Sequence, residues 1–509
     1  MGAMTSVARL TGIAWALVRA DAVLPREIDP LLPLGPRALG RLLRLLARRA
    51  ARTERPGQRL AAVLERRGPV AIKLGQFLAA RGDILGIVFA EDLSRLKDRL
   101  APFPTPMARR AVEESLGRPV DSLFLRFDEA VAAASLAQVH RATLLDGRPA
   151  AVKVLRPGIE RRVAADSAML TWVGGLAHAL SPAARRLEPR AFAATVTRAL
   201  QLELDLRFEA AGADELRAVM AADDFMSAPR VVWDGVGRRV LTLEWASGLP
   251  LSDAAALEQP GLDRPKLAAR LVRAFLAQAL DHGVFHADLH EGNLFVQASG
   301  ALIAVDFGII GRLGPGERRF LAEILWGFLR RDYARVAAVH FEAGYVPAGQ
   351  DRAAFAQALR AVGEPIFGRT ADAFSMSRLL TQLFQVTAVF DMHLRPELVL
   401  LQKTMVTVEA VARRIDPEHD IWASAEPVVR RWITRELSPA SRMRDLVTDL
   451  RAAAVGLARL AAREAEQPGG SASIAAPTND PRRMGRAWLG LAYGALIVAS
   501  AFAVAALLH

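Results

Sequence analysis

The fold of this chain is decided by one stretch, His286-Ala-Asp-Leu-His-Glu-Gly-Asn-Leu-Phe-Val-Gln-Ala-Ser-Gly-Ala-Leu-Ile-Ala-Val-Asp-Phe-Gly308. It holds two polar segments. The first carries Asp288 and, five residues later, an asparagine; the second carries Asp306 before a phenylalanine and a glycine. Between them lie the apolar runs Leu294–Val296 and Leu302–Val305, separated by a polar turn. Two such runs predict a short hairpin that brings the two polar segments together.

Together, the two segments have the pattern of a phosphoryl-transfer site. An Asp followed by an Asn at this spacing is typical of the catalytic loop of protein kinases, and Asp-Phe-Gly is typical of their metal-binding segment. In that chemistry magnesium ions bridge the phosphates, and a carboxylate lies near the attacking oxygen. The sequence therefore predicts Asn293 and Asp306 as metal ligands for Mg²⁺. Asp288 is predicted to be the catalytic residue that orients or deprotonates the nucleophile.

A lysine for the phosphates is expected upstream, at Lys153. It lies in Ala151-Val-Lys-Val154, after a turn at Asp146-Gly147, and this pattern predicts a hairpin strand that presents the lysine. A buried strand with an incidental lysine is the alternative. The lysine of a kinase is held by a glutamate, and Glu203 and Glu209 on a predicted helix are candidates. Because they are six residues apart, they point about 120° away from each other and cannot both serve one lysine.

Two further segments are expected to contact the nucleotide. Residues 229–246 predict two strands around Gly235–Gly237, and the end of the second would be the hinge that meets the adenine, through Glu244 and Ala246. The usual glycine-rich phosphate loop is replaced by a segment without glycine, and its predicted contact residues are Ala132, Ala133, Ala134 and Ser135. Alanine permits close approach but not a positive φ at low cost. Phosphate contact here should therefore differ from that in ordinary kinases.

The composition limits the other classes of function. The chain has 509 residues, of which 52% are hydrophobic and 24% charged, so it can bury a sizeable core. It has no cysteine, which excludes disulfides, thiolate zinc sites and cysteine nucleophiles. The net charge of +12 suits either nucleic acid or anionic lipid. The arginines are scattered along helical stretches without a nucleic-acid module, so lipid is favoured and no nucleic-acid partner is expected.

The order of elements predicts an α+β fold with two lobes, like that of protein kinases. The predicted parts are an N-terminal helical extension at 1–118, a small lobe with inserted helices at 119–246, a large helical lobe at 247–466, a linker at 467–486 and a transmembrane helix at 487–508.

The transmembrane prediction rests on Ala487–Leu508, which are 22 residues without a charge. That length crosses a hydrocarbon layer of roughly 30 Å. Arg482, Arg483 and Arg486 precede it, and by the positive-inside rule they place the catalytic body in the cytoplasm, against the cell inner membrane. A buried core helix is the alternative.

With these motifs the chain resembles one family, the UbiB family of atypical kinase-like proteins, which is linked to ubiquinone biosynthesis. The resemblance runs from about residue 60 to 315. Lys73-Leu-Gly75-Gln76 is similar to the family's Lys-x-Gly-Gln signature, and the segment Ala132–Ser135 to its alanine-rich loop. Glu203-Leu-Asp205 is similar to its Glu-x-Asp signature, which implies that Glu209 is the catalytic partner of Lys153.

The resemblance implies a kinase fold whose N-terminal extension covers the active site and blocks protein substrates. Lys73, Gly75 and Gln76 would regulate the nucleotide cleft from the extension, near Glu203 and Asp205. The implied cofactors are ATP or ADP with Mg²⁺. The implied activity is ATP hydrolysis or phosphorylation of a small or lipid-like substrate in support of ubiquinone (coenzyme Q) synthesis.

The expected partners are membrane lipids and quinone precursors or quinone-biosynthesis enzymes, and a homodimer is left open. Bacterial relatives often carry two C-terminal transmembrane helices, whereas this sequence has room for one. The alternative function is a pseudokinase, a nucleotide-gated lipid-binding scaffold for quinone-biosynthesis enzymes. The complete set of Lys153, Asp288, Asn293 and Asp306 argues against an inactive site.

Overall fold

The chain forms two compact units. The first comprises the described residues as far as Ala210 together with Val231–Trp245, and the second comprises Ala211–Arg230 and the described residues from Ala246 onward. The computed structural model describes residues 12, 15–22, 26, 34–48, 53–79, 87–94, 96, 101–180, 188–223, 225–366, 386, 389–392 and 396–436.

The first unit is built on a four-stranded antiparallel sheet in the order β1-β2-β3-β4. The predicted turn at Asp146–Gly147 is confirmed, because it joins β2 to β3 and Gly147 has a φ of 86°, which favours glycine. In β3 the burial alternates, with Val152 and Val154 in the core and Lys153 on the other face. The strands are β1 (Phe124–Ala133), β2 (Ala137–Leu144), β3 (Pro149–Leu155) and β4 (Val240–Glu244).

The other described residues of the first unit are mainly helical. The helix before β1 shows why they pack: Ala108, Ala111 and Val112 recur at helical spacing and are buried in the same core as the sheet. The helices are α1 (Leu34–Arg44), α2 (Pro56–Arg67), α3 (Pro69–Ala79), α4 (Ile87–Ser94), α5 (Thr105–Leu116), α6 (Ile159–Leu180), α7 (Pro189–Glu203) and α8 (Leu206–Ala221), the last of which continues into the second unit.

The second unit is mainly helical and contains two small sheets. The predicted hairpin is confirmed: β7 pairs antiparallel with β8, with Leu294 opposite Ala304 and Val296 opposite Leu302. The strands are β5 (Leu249–Pro250), β6 (Val284–His286), β7 (Leu294–Val296), β8 (Leu302–Ala304) and β9 (Ile310–Arg312). The helices are α9 (Arg264–Ala277), α10 (Pro315–Leu329), α11 (Tyr333–Glu342), α12 (Arg352–Gly363), α13 (Pro396–Ile415) and α14 (Ile421–Glu436).

One strand prediction was wrong. Of the two strands predicted in residues 229–246, only β4 forms, and Val231 contributes a single bridge to Leu243. A 3₁₀ turn at Trp233–Gly235 intervenes, and the Thr242 hydroxyl donates a hydrogen bond of 2.9 Å to the carbonyl of Gly235. The 3₁₀ turn, with its Gly235 carbonyl bonded to a side chain of β4, thus interrupts the extended backbone that a second strand would need.

Among the described residues, no helix has both the length and the apolar character needed to cross a membrane. The predicted linker and the predicted span at 487–508 lie outside these residues.

Candidate active site

His286 orders the candidate catalytic loop in the second unit. Its Nδ1 atom accepts a hydrogen bond of 3.1 Å from the backbone N–H of Asp288, so the proton must be on Nε2. Nε2 lies 3.1 Å from the carbonyl oxygen of Val305 and donates to it. Burial lowers the pKa of His286, which keeps the ring neutral and preserves this pattern. One imidazole therefore ties Asp288 to the residue that precedes Asp306.

The predicted metal ligands are held next to this histidine. The backbone N–H of Val305 donates to the carbonyl of Asn293 at 2.9 Å, which brings Asn293 and Asp306 to the same end of the hairpin. The amide nitrogen of Asn293 donates to the carbonyl of Asp288 at 3.1 Å. The amide oxygen is therefore the atom of Asn293 that suits a cation.

The backbone at Asp306 is strained. Its φ is 62°, in the left-handed region that residues other than glycine rarely adopt. Such strain persists only where the surrounding structure enforces it, and it is concentrated at functional sites. An Asn and an Asp with these positions fit Mg²⁺, which is usually held by one or two protein oxygens together with substrate phosphates.

In the first unit, the structure brings Lys153 to Glu209. The lysine Nζ lies 2.7 Å and 2.9 Å from the two carboxylate oxygens of Glu209, in the first turn of α8. Both side chains are largely covered, with 22% and 10% of their surfaces exposed. A charge-assisted pair of this kind fixes the direction of the lysine. Of the candidate glutamates that the sequence left open, Glu209 is the one that contacts Lys153.

Glu203 contacts the extension instead. The Nζ atom of Lys73, on α3, lies 3.0 Å from the Oε2 atom of Glu203, at the end of α7. Asp205 is bound by Arg207 at 2.8 Å and 2.6 Å, and these hydrogen bonds hold the pKa of Asp205 below its usual range. Gln76 lies three residues after Lys73, on the same side of α3.

Close packing explains the glycine of the Lys-x-Gly-Gln segment. A Cβ atom at Gly75 would collide with the side chains of Leu96 and Leu64. Leu64 belongs to α2, and Leu96 follows α4, so the glycine lets three parts of the extension approach one another.

The alanine-rich loop consists of the last two residues of β1, Ala132 and Ala133, and the turn that leads into β2. The N–H of Ala134 donates to the carbonyl of Ala137 at 2.8 Å, and Ser135 is fully buried. Arg156, which the sequence analysis missed, donates to the carbonyl of Ala134 at 3.0 Å and 2.8 Å through two nitrogens. None of the residues Ala132–Ser135 has a positive φ. The loop therefore has a backbone of negative φ angles, and the guanidinium of Arg156 holds this backbone in place.

The predicted hinge lies at the end of β4. Glu244 pairs with Arg148 at 2.7 Å, and the N–H of Trp245 donates to the carbonyl of Pro149 at 3.0 Å. Arg141 stacks over the Trp245 ring, with its Cζ atom 5.0 Å from the ring centroid. Ala246 follows directly. These contacts fix the backbone of the hinge against the neighbouring strands of the sheet.

A group of contacts from α13 was not predicted. The Thr404 hydroxyl donates to the carbonyl of Ala287 at 3.0 Å, and the Nζ atom of Lys403 lies 4.0 Å from the Oδ1 atom of Asp288. The sequence shows no motif around these residues, and they lie more than a hundred positions after the loop. Only the three-dimensional structure brings this helix to the catalytic loop.

Comparisons with known proteins identify the family to which the chain is similar. Residues 95–340 match the ABC1 atypical kinase-like domain, and residues 359–420 match the UbiB helical domain. A Marinobacter nauticus protein named probable protein kinase UbiB is 38% identical over 456 residues, which cover 88% of this chain and 82% of that protein. A protein of the same name from Azotobacter vinelandii is 40% identical over 426 residues, covering 82% of this chain and 79% of that protein.

A solved structure is also similar. The complex of Rv3197 with erythromycin from Mycobacterium tuberculosis is 25% identical with a TM-score of 0.53, and the match covers 70% of this chain and 90% of that chain. The kinase-like α+β fold predicted from the sequence is thereby confirmed.

Proposed function

The chain belongs to the UbiB family of atypical kinase-like proteins, and we propose that it is an ATP-dependent phosphotransferase or ATPase that supports ubiquinone biosynthesis. The observation that carries the proposal is the arrangement around His286, whose ring bonds to the backbone of Asp288 and to that of Val305, the residue before Asp306. A structural loop would not need a strained aspartate beside a second carboxylate and an amide. The family's link to ubiquinone synthesis supplies the biological role.

Each proposed site residue has one task. Lys153, directed by Glu209, contacts the phosphates, and Asn293 and Asp306 hold Mg²⁺. Magnesium, when bound, neutralises charge on the phosphates. Asp288 accepts the proton of the attacking hydroxyl or orients a water.

The remaining site residues tune access to the nucleotide. Residues 132–135 cover the phosphates, and Glu244 and Ala246 meet the adenine. Lys73, Gly75 and Gln76 of the extension, together with Glu203 and Asp205, regulate entry to the site.

The substrate is proposed to be small or lipid-like. Two observations support this proposal. Lys73 on α3 of the extension forms an ion pair with Glu203, and the phosphate loop at 132–135 has no residue with a positive φ. The proposed location is the cytoplasmic face of the cell inner membrane, with lipids, quinone precursors or quinone-biosynthesis enzymes as partners.

A second candidate is a nucleotide-gated scaffold without phosphoryl transfer. The alanine-type loop favours it, because Arg156 holds the loop in a conformation that lacks the positive φ available to glycine. Turnover of ATP separates the two candidates.

The test is ATP hydrolysis by the purified protein, with and without anionic liposomes and quinone-like phenols. Wild type should turn over ATP, and Asp288→Asn should lose about a hundredfold or more in rate if Asp288 is the general base. Asp332→Asn is the matched control, because Asp332 caps α11, and asparagine caps a helix equally well. Nucleotide binding without turnover under every condition would favour the scaffold.

A further inference from the structure

The candidate catalytic loop lacks a cation that the kinase motif contains. In the signature His-Arg-Asp-Leu of protein kinases an arginine precedes the catalytic aspartate. Here the sequence is His286-Ala287-Asp288-Leu289, so alanine occupies the arginine position. The loop itself therefore supplies no fixed positive charge next to Asp288.

Helix α13 brings a positive charge to this place. Lys403 lies with its Nζ atom 4.0 Å from the Oδ1 atom of Asp288. The other oxygen, Oδ2, lies 3.8 Å from the Nε2 atom of His290. Lys403 lies within the segment that matches the UbiB helical domain, whereas Asp288 lies within the kinase-like match. The kinase-like segment and the helical-domain segment thus contact each other at the carboxylate of Asp288.

The position of Lys403 is fixed by the helix that carries it. Thr404, the next residue, is buried and donates hydrogen bonds to the carbonyls of Ala287 at 3.0 Å and Leu400 at 2.8 Å. Leu401, Met405 and Val408 on the same helix are also buried. Rotating α13 would expose this apolar face and break the Thr404 hydrogen bond. Both changes cost free energy, so the backbone of Lys403 stays close to the loop.

A second ion pair holds the same helix to the same loop. Arg414, near the end of α13, pairs with Glu291, three residues after Asp288. Helix α13 therefore contacts the loop at Ala287, Asp288 and Glu291. A helix that only filled space would not need polar contacts to three positions of a catalytic loop.

We propose that Lys403 is a positioning residue of the active site, which holds the carboxylate of Asp288 toward the nucleophile and replaces the charge that the loop sequence lacks. The inference rests on the proposed function. A lysine suits this task, because its compact ammonium sits on a flexible stem and can follow the carboxylate during the reaction. At 4.0 Å the pair is loose enough for the ammonium to adjust.

The exposure of the pair makes the proposal testable. Lys403 is 52% exposed and Asp288 is 33% exposed, so the pair contributes little to folding stability. Replacing Lys403 should leave the fold intact and alter the chemistry. A structural role would produce the opposite result.

The experiment compares Lys403→Met and Lys403→Arg with the charge-matched control Lys266→Met, an exposed lysine at the start of α9. Lys403→Met should lower kcat about tenfold and leave the KM for ATP and the magnesium-nucleotide thermal shift unchanged. Lys403→Arg should restore most of the rate. A kcat for Lys403→Met equal to that of Lys266→Met, or a loss that arginine does not restore, would overturn the proposal.

A second measurement does not depend on turnover. The acylation rate of Lys403 by a succinimidyl ester, followed by peptide mass spectrometry, should rise about twofold or more in Asp288→Asn, because the paired carboxylate is gone. An unchanged rate means that the pair does not exist in solution. Absence of ATP turnover by wild type contradicts the proposed function, whereas unchanged turnover and labelling in the variants contradict the role of Lys403 alone.

Discussion

The chemistry of single residues was predictable only where it is local in sequence. Asp288, Asn293 and Asp306 were assigned tasks because their spacing reproduces a known motif. The tautomer of His286 could not be predicted, because it depends on the carbonyl of Val305, which the hairpin brings near. The same limit applies to Arg156, since its acceptor at Ala134 lies 22 residues earlier, in the turn between β1 and β2.

Buried histidines should make the protein sensitive to acid. Burial lowers the pKa of His340 to about 4, from a usual 6.5. Between these values the unfolded chain binds a proton that the native chain does not, so stability is complete above pH 6.5 and is lost as the pH falls toward 4. The loss is about 1.4 kcal/mol per pH unit for one such group.

The variant His340→Phe tests whether protonation of His340 on unfolding causes this loss of stability at acid pH. The ring contacts with Phe355 and Tyr345 at 5.4 Å and 6.1 Å suit an aromatic replacement. Urea unfolding at pH 7.5 and pH 5 should show a smaller loss of stability in the variant than in wild type. Equal losses would mean that His340 does not titrate on unfolding. Burial also lowers the pKa of His140 and His286, so part of the acid sensitivity should persist.

At the level of elements, prediction succeeded for hairpins and failed for long-range packing. The β2–β3 and β7–β8 hairpins were predicted because a turn and two apolar runs are contiguous in sequence. The prediction of a second strand in residues 229–246 was wrong because a 3₁₀ turn forms there, and its Gly235 carbonyl accepts a hydrogen bond from the Thr242 hydroxyl. The contacts of α13 were missed because nothing in the sequence near Thr404 indicates that its hydroxyl donates a hydrogen bond to the carbonyl of Ala287.

The packing of α3 gives a prediction for Gly75. Gly75→Ala should destabilise the extension by about 1–3 kcal/mol, because the new methyl group overlaps Leu96 and Leu64. Gly175→Ala is the matched control, since a Cβ there meets nothing and alanine favours the α6 helix. Limited proteolysis within the extension should accelerate for Gly75→Ala alone. Equal protection of both variants would contradict the packing.

For the whole molecule, the sequence predicted the α+β class and the family, and the comparisons confirm both. The catalytic aspartate and asparagine are local in sequence, so their motif was enough for recognition. The small lobe was predicted to span residues 119–246, but Ala211–Arg230 belong to the second unit, and this placement depends on contacts between distant segments that the sequence does not show. The predicted membrane span lies outside the described residues and stays a prediction.

The proposed barrier to protein phosphorylation predicts a gain of activity. Lys73→Ala removes the 3.0 Å contact between α3 and Glu203 and should loosen the extension. Ala134→Gly gives the phosphate loop access to a positive φ at low cost. Each variant should incorporate more phosphate from radiolabelled ATP into the protein itself than wild type, which should incorporate little. Strong incorporation by wild type, unchanged in both variants, would indicate an ordinary protein kinase.

We propose that Asp306 and Asn293 hold magnesium for a nucleotide, and the decisive measurement is the magnesium-dependent thermal stabilisation of the protein by ADP or ATP. Asparagine tolerates the left-handed backbone at Asp306, so Asp306→Asn should fold and lose only the charge. Wild type and the control Asp332→Asn should melt at a higher temperature with magnesium and nucleotide than without. We predict that Asp306→Asn loses this magnesium-dependent shift, whereas a shift equal to that of wild type would show that Asp306 is not a magnesium ligand.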